Sequence, residues 1–216
     1  MIDTVLFDFD GTIMDTNEII IQSWQATFRE LENREEDREI LLHTFGEPLA
    51  DTMRNFFPDV PLETALNIYR DYQRDNLLAN IHLFPGIRRL LDELLQRQVP
   101  MALVTSRLWR TTHQAMDQFD LNKYFQCVVT ADDVTRHKPD PQSVEIALKK
   151  LGSLPERTIQ IGDTKHDIQC AHNAGVTAAL VSWSIALSEE LREGFPPEYT
   201  PDVIIDDPVQ ILDLLG

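Results

Sequence analysis

Residues 4–12 read TVLFDFDGT, a short apolar run that stops abruptly in two acids and a glycine. The run over residues 4–9 has the composition of a strand buried on both faces of a parallel sheet. Residues 158–167, TIQIGDTKHD, repeat the design, with Gly and Asp at the strand end. Residues 101–106, MALVTS, form a third run, ending in hydroxyls. Around these, helical and strand patterns alternate from residue 84 onward. Helices are expected over residues 87–96, 109–119, 141–151, 165–174 and 208–214, and strands over 101–105, 127–130, 158–161, 177–182 and 203–205. This alternation predicts an α/β chain with a Rossmann-like, doubly wound parallel sheet and right-handed crossovers.

Between the first strand and residue 80 the pattern differs. Ile20, Trp24, Phe28 and Leu31 recur at helical spacing, as do Leu66, Tyr69, Tyr72 and Gln73. Pro48, Pro58 and Pro61 divide the stretch into about four helices, and no strand candidate intervenes. The expected organisation is a core of residues 1–14 and 81–216 carrying an inserted all-helical cap, residues 15–80. Hinges are expected near 14–16 and 80–86.

The 216 residues carry 36 acidic and 19 basic side chains, a formal charge of −17. Such a surface repels nucleic acid and anionic lipid, so neither is an expected partner. A phosphate ester would be repelled too, unless a metal and a few basic groups reverse the sign locally. No 18-residue apolar run occurs, and the first ten residues carry acids rather than a basic leader. Cys127 and Cys170 lack metal-site spacing, and the six histidines show no close ligand pairing. These features lead to the expectation of a reduced, cytoplasmic protein, a monomer or weak dimer.

In a doubly wound sheet, ligands bind beyond the carboxyl ends of the strands, so the polar residues there are the ones to weigh. Asp8 and Asp10 share a side of the chain by the period of two and repel each other unless a cation intervenes. Magnesium, a hard ion that takes a few carboxylates and keeps waters, suits such a pair. Gly11 allows a sharp turn that exposes backbone amides, with Thr12 following. Asp163 follows a glycine at another strand end, and Asp167 lies one helical turn on. Standing alone, Asp163 would read first as a cap of the helix beginning near Lys165. Thr105 and Ser106 are hydroxyls fit for phosphoryl oxygens, and Pro139 and Pro141 stiffen the loop that presents Lys138. Each has an ordinary structural reading in isolation; their recurrence in order at successive strand ends favours a shared site.

This set resembles the haloacid dehalogenase superfamily of phosphotransferases over essentially the whole chain. The Asp-x-Asp-Gly-Thr motif matches residues 8–12, and the apolar run ending in Thr or Ser matches at Thr105. The Lys-Pro motif matches at Lys138, and Gly-Asp with a second Asp four residues on matches at Asp163 and Asp167. The helical insert is similar to that of the family's helical-cap branch. The resemblance implies Asp8 as nucleophile, Asp10 as general acid and base, and Thr105 and Lys138 as phosphoryl binders. It also implies Mg2+ held by Asp8, the Asp10 backbone carbonyl and Asp163, with Asp167 steadying the metal's water or the loop. Thr16, Glu18 and Gly46 fall where relatives place substrate-facing groups, although Glu18 reads first as a solvated helix start and Gly46 equally as part of an ordinary inter-helix turn. Arg107 and Arg110 would either meet an anionic substrate or coat a helix. His166 is expected to be exposed, Trp24 to lie in the helical core, and Trp183 to border the pocket.

Several activities share this scaffold. Dehalogenases lack the second acid of the first motif, which is present here as Asp10. β-Phosphoglucomutases carry a cap histidine and a specificity-loop arginine where this chain has Ile20 and Glu47-Pro48. The chain is more similar to phosphoglycolate-type phosphatases and, most of all, to small pyrophosphatases linked to HPr-serine phosphorylation. Residues 15–18, 45–49, 166–168, 173–175 and 182–183 carry that likeness. The expected substrate is a small phosphorylated metabolite or pyrophosphate. A mutase-type phosphotransferase and a non-catalytic phosphate-binding module are the alternatives.

Overall fold

The structure, a computed structural model, describes residues 1–216. The chain enters through β1 (Thr4–Phe7), all four of whose residues are buried. A two-residue strand, β2 (Met14–Asp15), leads to four helices: α1 (Asn17–Glu32), α2 (Arg38–Leu42), α3 (Leu49–Phe56) and α4 (Leu62–Asn76). The chain returns through β3 (His82–Leu83) and then alternates. In order come α5 (Ile87–Gln96), β4 (Met101–Val104), α6 (Trp109–Gln118), β5 (Cys127–Val129), α7 (Gln142–Leu151), β6 (Thr158–Gly162), α8 (Lys165–Asn173), β7 (Thr177–Val181), α9 (Ser188–Glu193) and β8 (Val203–Ile205). No helix is long and apolar enough to cross a membrane.

The six main strands are parallel and ordered β5-β4-β1-β6-β7-β8. The chain works outward from β1 to β5, then crosses to β6 and proceeds the other way. That reversal makes the carboxyl ends of β1 and β6 the switch point, where open α/β sheets bind ligands. Register ties the two together: Phe7 pairs with Ile161, and the amide of Asp8 donates to the Ile161 carbonyl at 2.8 Å. Leu6, Ala102, Val104 and Val129 pack with Val144 and Leu148 of α7 and Ile168 and Ala171 of α8 in one core. The β-branched and aliphatic strands and the apolar stripes of the two helices supply that layer.

Two compact units result: Met1–Asp15 with Leu83–Gly216, and Thr16–His82. The division falls one or two residues from the expected 14/15 and 80/81, and the short strands β2 and β3 at the linkers pair with each other. Those two-residue strands carry no readable alternation. The helical unit packs Ile21, Trp24, Phe28, Leu41, Met53 and Tyr69 into its own core. Trp24 meets Phe56 and Tyr69 edge-on, with ring centroids 5.4 and 5.2 Å apart. The last expected helix, over residues 208–214, is a 3-10 helix, Pro208–Leu214, opened by an Asp207/Gln210 capping box. α9 was not expected: none of its residues is buried, so it shows no apolar stripe.

Candidate active site

Lys138 organises the switch point. Its Nζ donates to Asp8 Oδ1 at 2.8 Å, to Asp167 Oδ1 at 2.6 Å and to the Val104 carbonyl at 2.8 Å. An ammonium has three hydrogens, and here all three are engaged. The lysine side chain is 4% exposed, so these contacts act at low effective dielectric. The loop between β5 and α7 thus ties the residue after β1, the last residue of β4 and the first turn of α8 to one point.

Asp167 is a helix residue with two tasks. Its Oδ1 takes Lys138, while Oδ2 accepts from the amide and hydroxyl of Thr164, closing the capping box of α8. The cap of α8 is therefore Thr164 rather than Asp163. Freed from capping, Asp163 accepts from Ser184 Oγ on Oδ2 at 2.6 Å, and its Oδ1 is buried with no hydrogen-bond partner. Gly11 makes room for it: φ is +74°, and a Cβ at that position would overlap the Asp163 carboxylate. Only glycine satisfies both conditions.

The charges of the cluster are poorly balanced. Burial pushes the Asp8 carboxyl up; Lys138 opposes that, Asp167 adds to it, and the group comes to about 7. Burial, then repulsion from Asp167 and Asp8, holds Asp163 well above the usual carboxylate value. Burial alone would raise Asp167 also, but Lys138 and Thr164 hold it below the usual value. Burial likewise works against the Lys138 ammonium, and the Asp167 and Asp8 carboxylates outweigh it and raise its pKa.

Asp8, Asp163 and Asp167 each offer one oxygen, and those oxygens lie within 4.8 Å of one another. Three buried carboxylates against one ammonium, with an orphaned oxygen on Asp163, form a set of hard donors that fits a divalent cation. The Asp10 carboxylate is not in the cluster. Its Oδ1 accepts from Arg107 Nη1 at 2.7 Å, so a protein cation answers its charge.

The other expected site residues differ in burial and partners. Thr105 is buried, and its Oγ1 accepts from the Arg107 amide at 3.1 Å. Ser106 is exposed. Thr12 is fully buried with an unpartnered hydroxyl, and its carbonyl accepts from Trp183 Nε1 at 3.1 Å. Trp183 thus borders the first motif, with its ring 6.3 Å from that of Phe84. His166 is half-buried rather than exposed, and Arg110 is exposed. Thr16, Glu18 and Gly46 belong to the helical unit. There Thr16 is buried at the start of α1 without using its hydroxyl as a cap. Glu18 is exposed and paired with Arg38 at 3.1 Å, and Gly46 sits exposed in a turn at φ +78°. Sequence reasoning missed Ser184. Its only signal is adjacency to the Ser-Trp pair at 182–183 after a strand end.

A switch-point cluster of buried carboxylates around a lysine, on this strand order, defines the class: the chain belongs to the haloacid dehalogenase-like hydrolases, a family that matches residues 5–181. Among its relatives, the pyrophosphatase PpaX of Oceanobacillus iheyensis is 34% identical, over 99% of this chain and 96% of that protein. The pyrophosphatase PpaX of Halalkalibacterium halodurans is 31% identical, over 100% and 97%. Among solved structures, a haloacid dehalogenase-like family hydrolase from Streptococcus pneumoniae is 26% identical, with a TM-score of 0.83 over 99% of this chain and 98% of that one.

Proposed function

We propose that this hydrolase is a magnesium-dependent phosphohydrolase that acts through an aspartyl-phosphate on Asp8, with pyrophosphate or a phosphoglycolate-like ester as substrate. The observation that carries the proposal is the buried Asp8–Asp163–Asp167 cluster around Lys138 at the β1/β6 switch point. Its similarity to relatives named pyrophosphatase supports the choice of substrate.

The chemistry divides into two displacements. A carboxylate oxygen of Asp8 attacks phosphorus, the bond to the leaving oxygen breaks, and Asp10 gives that oxygen a proton. Asp10, now a carboxylate, takes a proton from water; the water oxygen attacks phosphorus and the bond to Asp8 breaks, releasing phosphate. Lys138 holds Asp8 in place for the first step and shares positive charge with the oxygens around phosphorus. The Thr105 hydroxyl lies at the adjacent strand end, fit to donate to a phosphoryl oxygen. Asp8 and Asp163 would hold magnesium with the Asp10 carbonyl, while Asp167, whose oxygens are taken by Lys138 and Thr164, would act through water. The ion would supply positive charge to both the nucleophile and the phosphoryl group.

The test pairs Asp8→Asn with the wild type on pyrophosphate and phosphoglycolate, with magnesium and after chelation. Turnover in the wild type should require magnesium, and the variant should be inactive with an unchanged circular dichroism spectrum. Turnover by Asp8→Asn at the wild-type rate would overturn the proposal.

A further inference from the structure

Arg107 carries more hydrogen-bonding capacity than the fold uses. Its side chain is 7% exposed, yet only Nη1 has a partner, the Asp10 carboxylate at 2.7 Å. Nε and Nη2 are buried without any acceptor. The guanidinium carbon lies 5.9 Å from the centroid of the Phe9 ring, a weak cation–π contact that offers Nε and Nη2 no oxygen acceptor. A buried donor left unpaired is costly, and two on one cationic fork ask for an oxyanion.

The contrast with Lys138 sharpens this. Lys138 has spent its three hydrogens on Asp8, Asp167 and a carbonyl. Arg107 therefore has the donors to spare, in a chain whose overall charge of −17 repels an anion. Its place is equally telling. In the proposed reaction, on which this inference rests, Asp10 hands a proton to the leaving oxygen. The group that grips Asp10 is then next to the leaving half of the substrate, away from the phosphoryl group that Asp8 attacks.

We infer that Arg107 is the specificity-determining anchor for the leaving group, selecting substrates whose leaving half is itself an anion. A second phosphoryl group or a carboxylate would take the planar fork through Nε and Nη2 in a two-point contact. Pyrophosphate and phosphoglycolate belong to that class. A phosphate ester of a neutral alcohol does not. The backbone around Arg107 is fixed for the purpose: its amide donates to Thr105 Oγ1, and its carbonyl accepts from the amide of Ala131 at 2.9 Å.

The experiment measures kcat/KM for pyrophosphate, phosphoglycolate and glycerol 2-phosphate with Arg107→Gln and Arg107→Lys. Glycerol 2-phosphate needs the same proton from Asp10 but leaves as a neutral alcohol. Arg107→Gln should lower kcat/KM for the two anionic-leaving-group substrates by about 100-fold, chiefly through KM. Their advantage over glycerol 2-phosphate should shrink at least about tenfold, and Arg107→Lys should restore part of it. Calorimetry with methylenediphosphonate, a non-hydrolysable mimic, should show the same loss of affinity in a folded variant. An equal loss on all three substrates overturns the inference, because Arg107 would then act only by positioning Asp10, and the phosphohydrolase proposal would stand. A wild type that turns over none of the three overturns both.

Discussion

Replacing Lys138 by Met removes the one cation that buried Asp8 and Asp167 share, while nearly preserving side-chain volume. Three contacts vanish together: 2.8 Å to Asp8, 2.6 Å to Asp167 and 2.8 Å to the Val104 carbonyl. Breaking a buried ion pair from one side costs about 3–5 kcal/mol, because the partner charge is stranded. For a chain of this length that amounts to a fall in Tm of about 10 °C. The pH dependence has a defined sign. In the wild type, Lys138 and Thr164 depress Asp167, whose stabilising contribution is present above the unfolded carboxylate pKa and lost as pH falls through the folded one. Without Lys138, Asp167 rises above its unfolded value and Asp8, already above its own, rises further, so their penalty grows as pH climbs through that interval. Thermal unfolding by circular dichroism, in chelator, should therefore show a larger deficit for Lys138→Met at pH 8 than at pH 5. Adding Asp167→Asn to the variant should recover part of the loss, since the stranded charge goes with it. A variant whose Tm stays within about 2 °C of wild type at pH 8 would refute the reasoning. So would a deficit independent of pH.

Two further outcomes follow from the same cluster. Magnesium should raise the Tm of the wild type more at pH 8 than at pH 5.5, because Asp8, pushed up to about 7 mainly by burial, must lose its proton to serve as a ligand. Differential scanning calorimetry with and without the ion checks this, and a gain that is larger at pH 5.5 would contradict it. Ser184→Ala should weaken magnesium binding about tenfold by releasing Asp163 Oδ2, with the fold retained. Isothermal titration with the ion alone reads that change directly, and unaltered affinity would show that the serine does not position Asp163.

The sheet and the four strand-end motifs were legible because both obey short-range periodicities. Residues 4–7, 101–104 and 158–162 are buried on every side, so they stand out as largely apolar runs, and the acids that end the first and the last of them mark the switch point. What escaped the sequence lies in irregular or long-range geometry. Arg107 and Asp10 are 97 residues apart, and nothing local to either marks the pairing. Ser184 reaches Asp163 from the loop between β7 and α9, where no period applies. The full occupation of Lys138 could not be read either, because it depends on a backbone carbonyl as well as on two acids. In the helical unit residue type alone leaves a role open: Glu18 accepts from Gln22 and pairs with Arg38 within that unit.

The central claim is that Asp8 is phosphorylated during turnover. Acid quenching of the enzyme in the steady state, followed by peptide mass spectrometry, tests it most directly. One phosphoryl group should appear on the peptide containing residues 8–12, confined to Asp8 and absent from Asp8→Asn. Undiminished hydrolysis with no phosphorylated peptide, or with the phosphoryl group on another residue, would contradict the account.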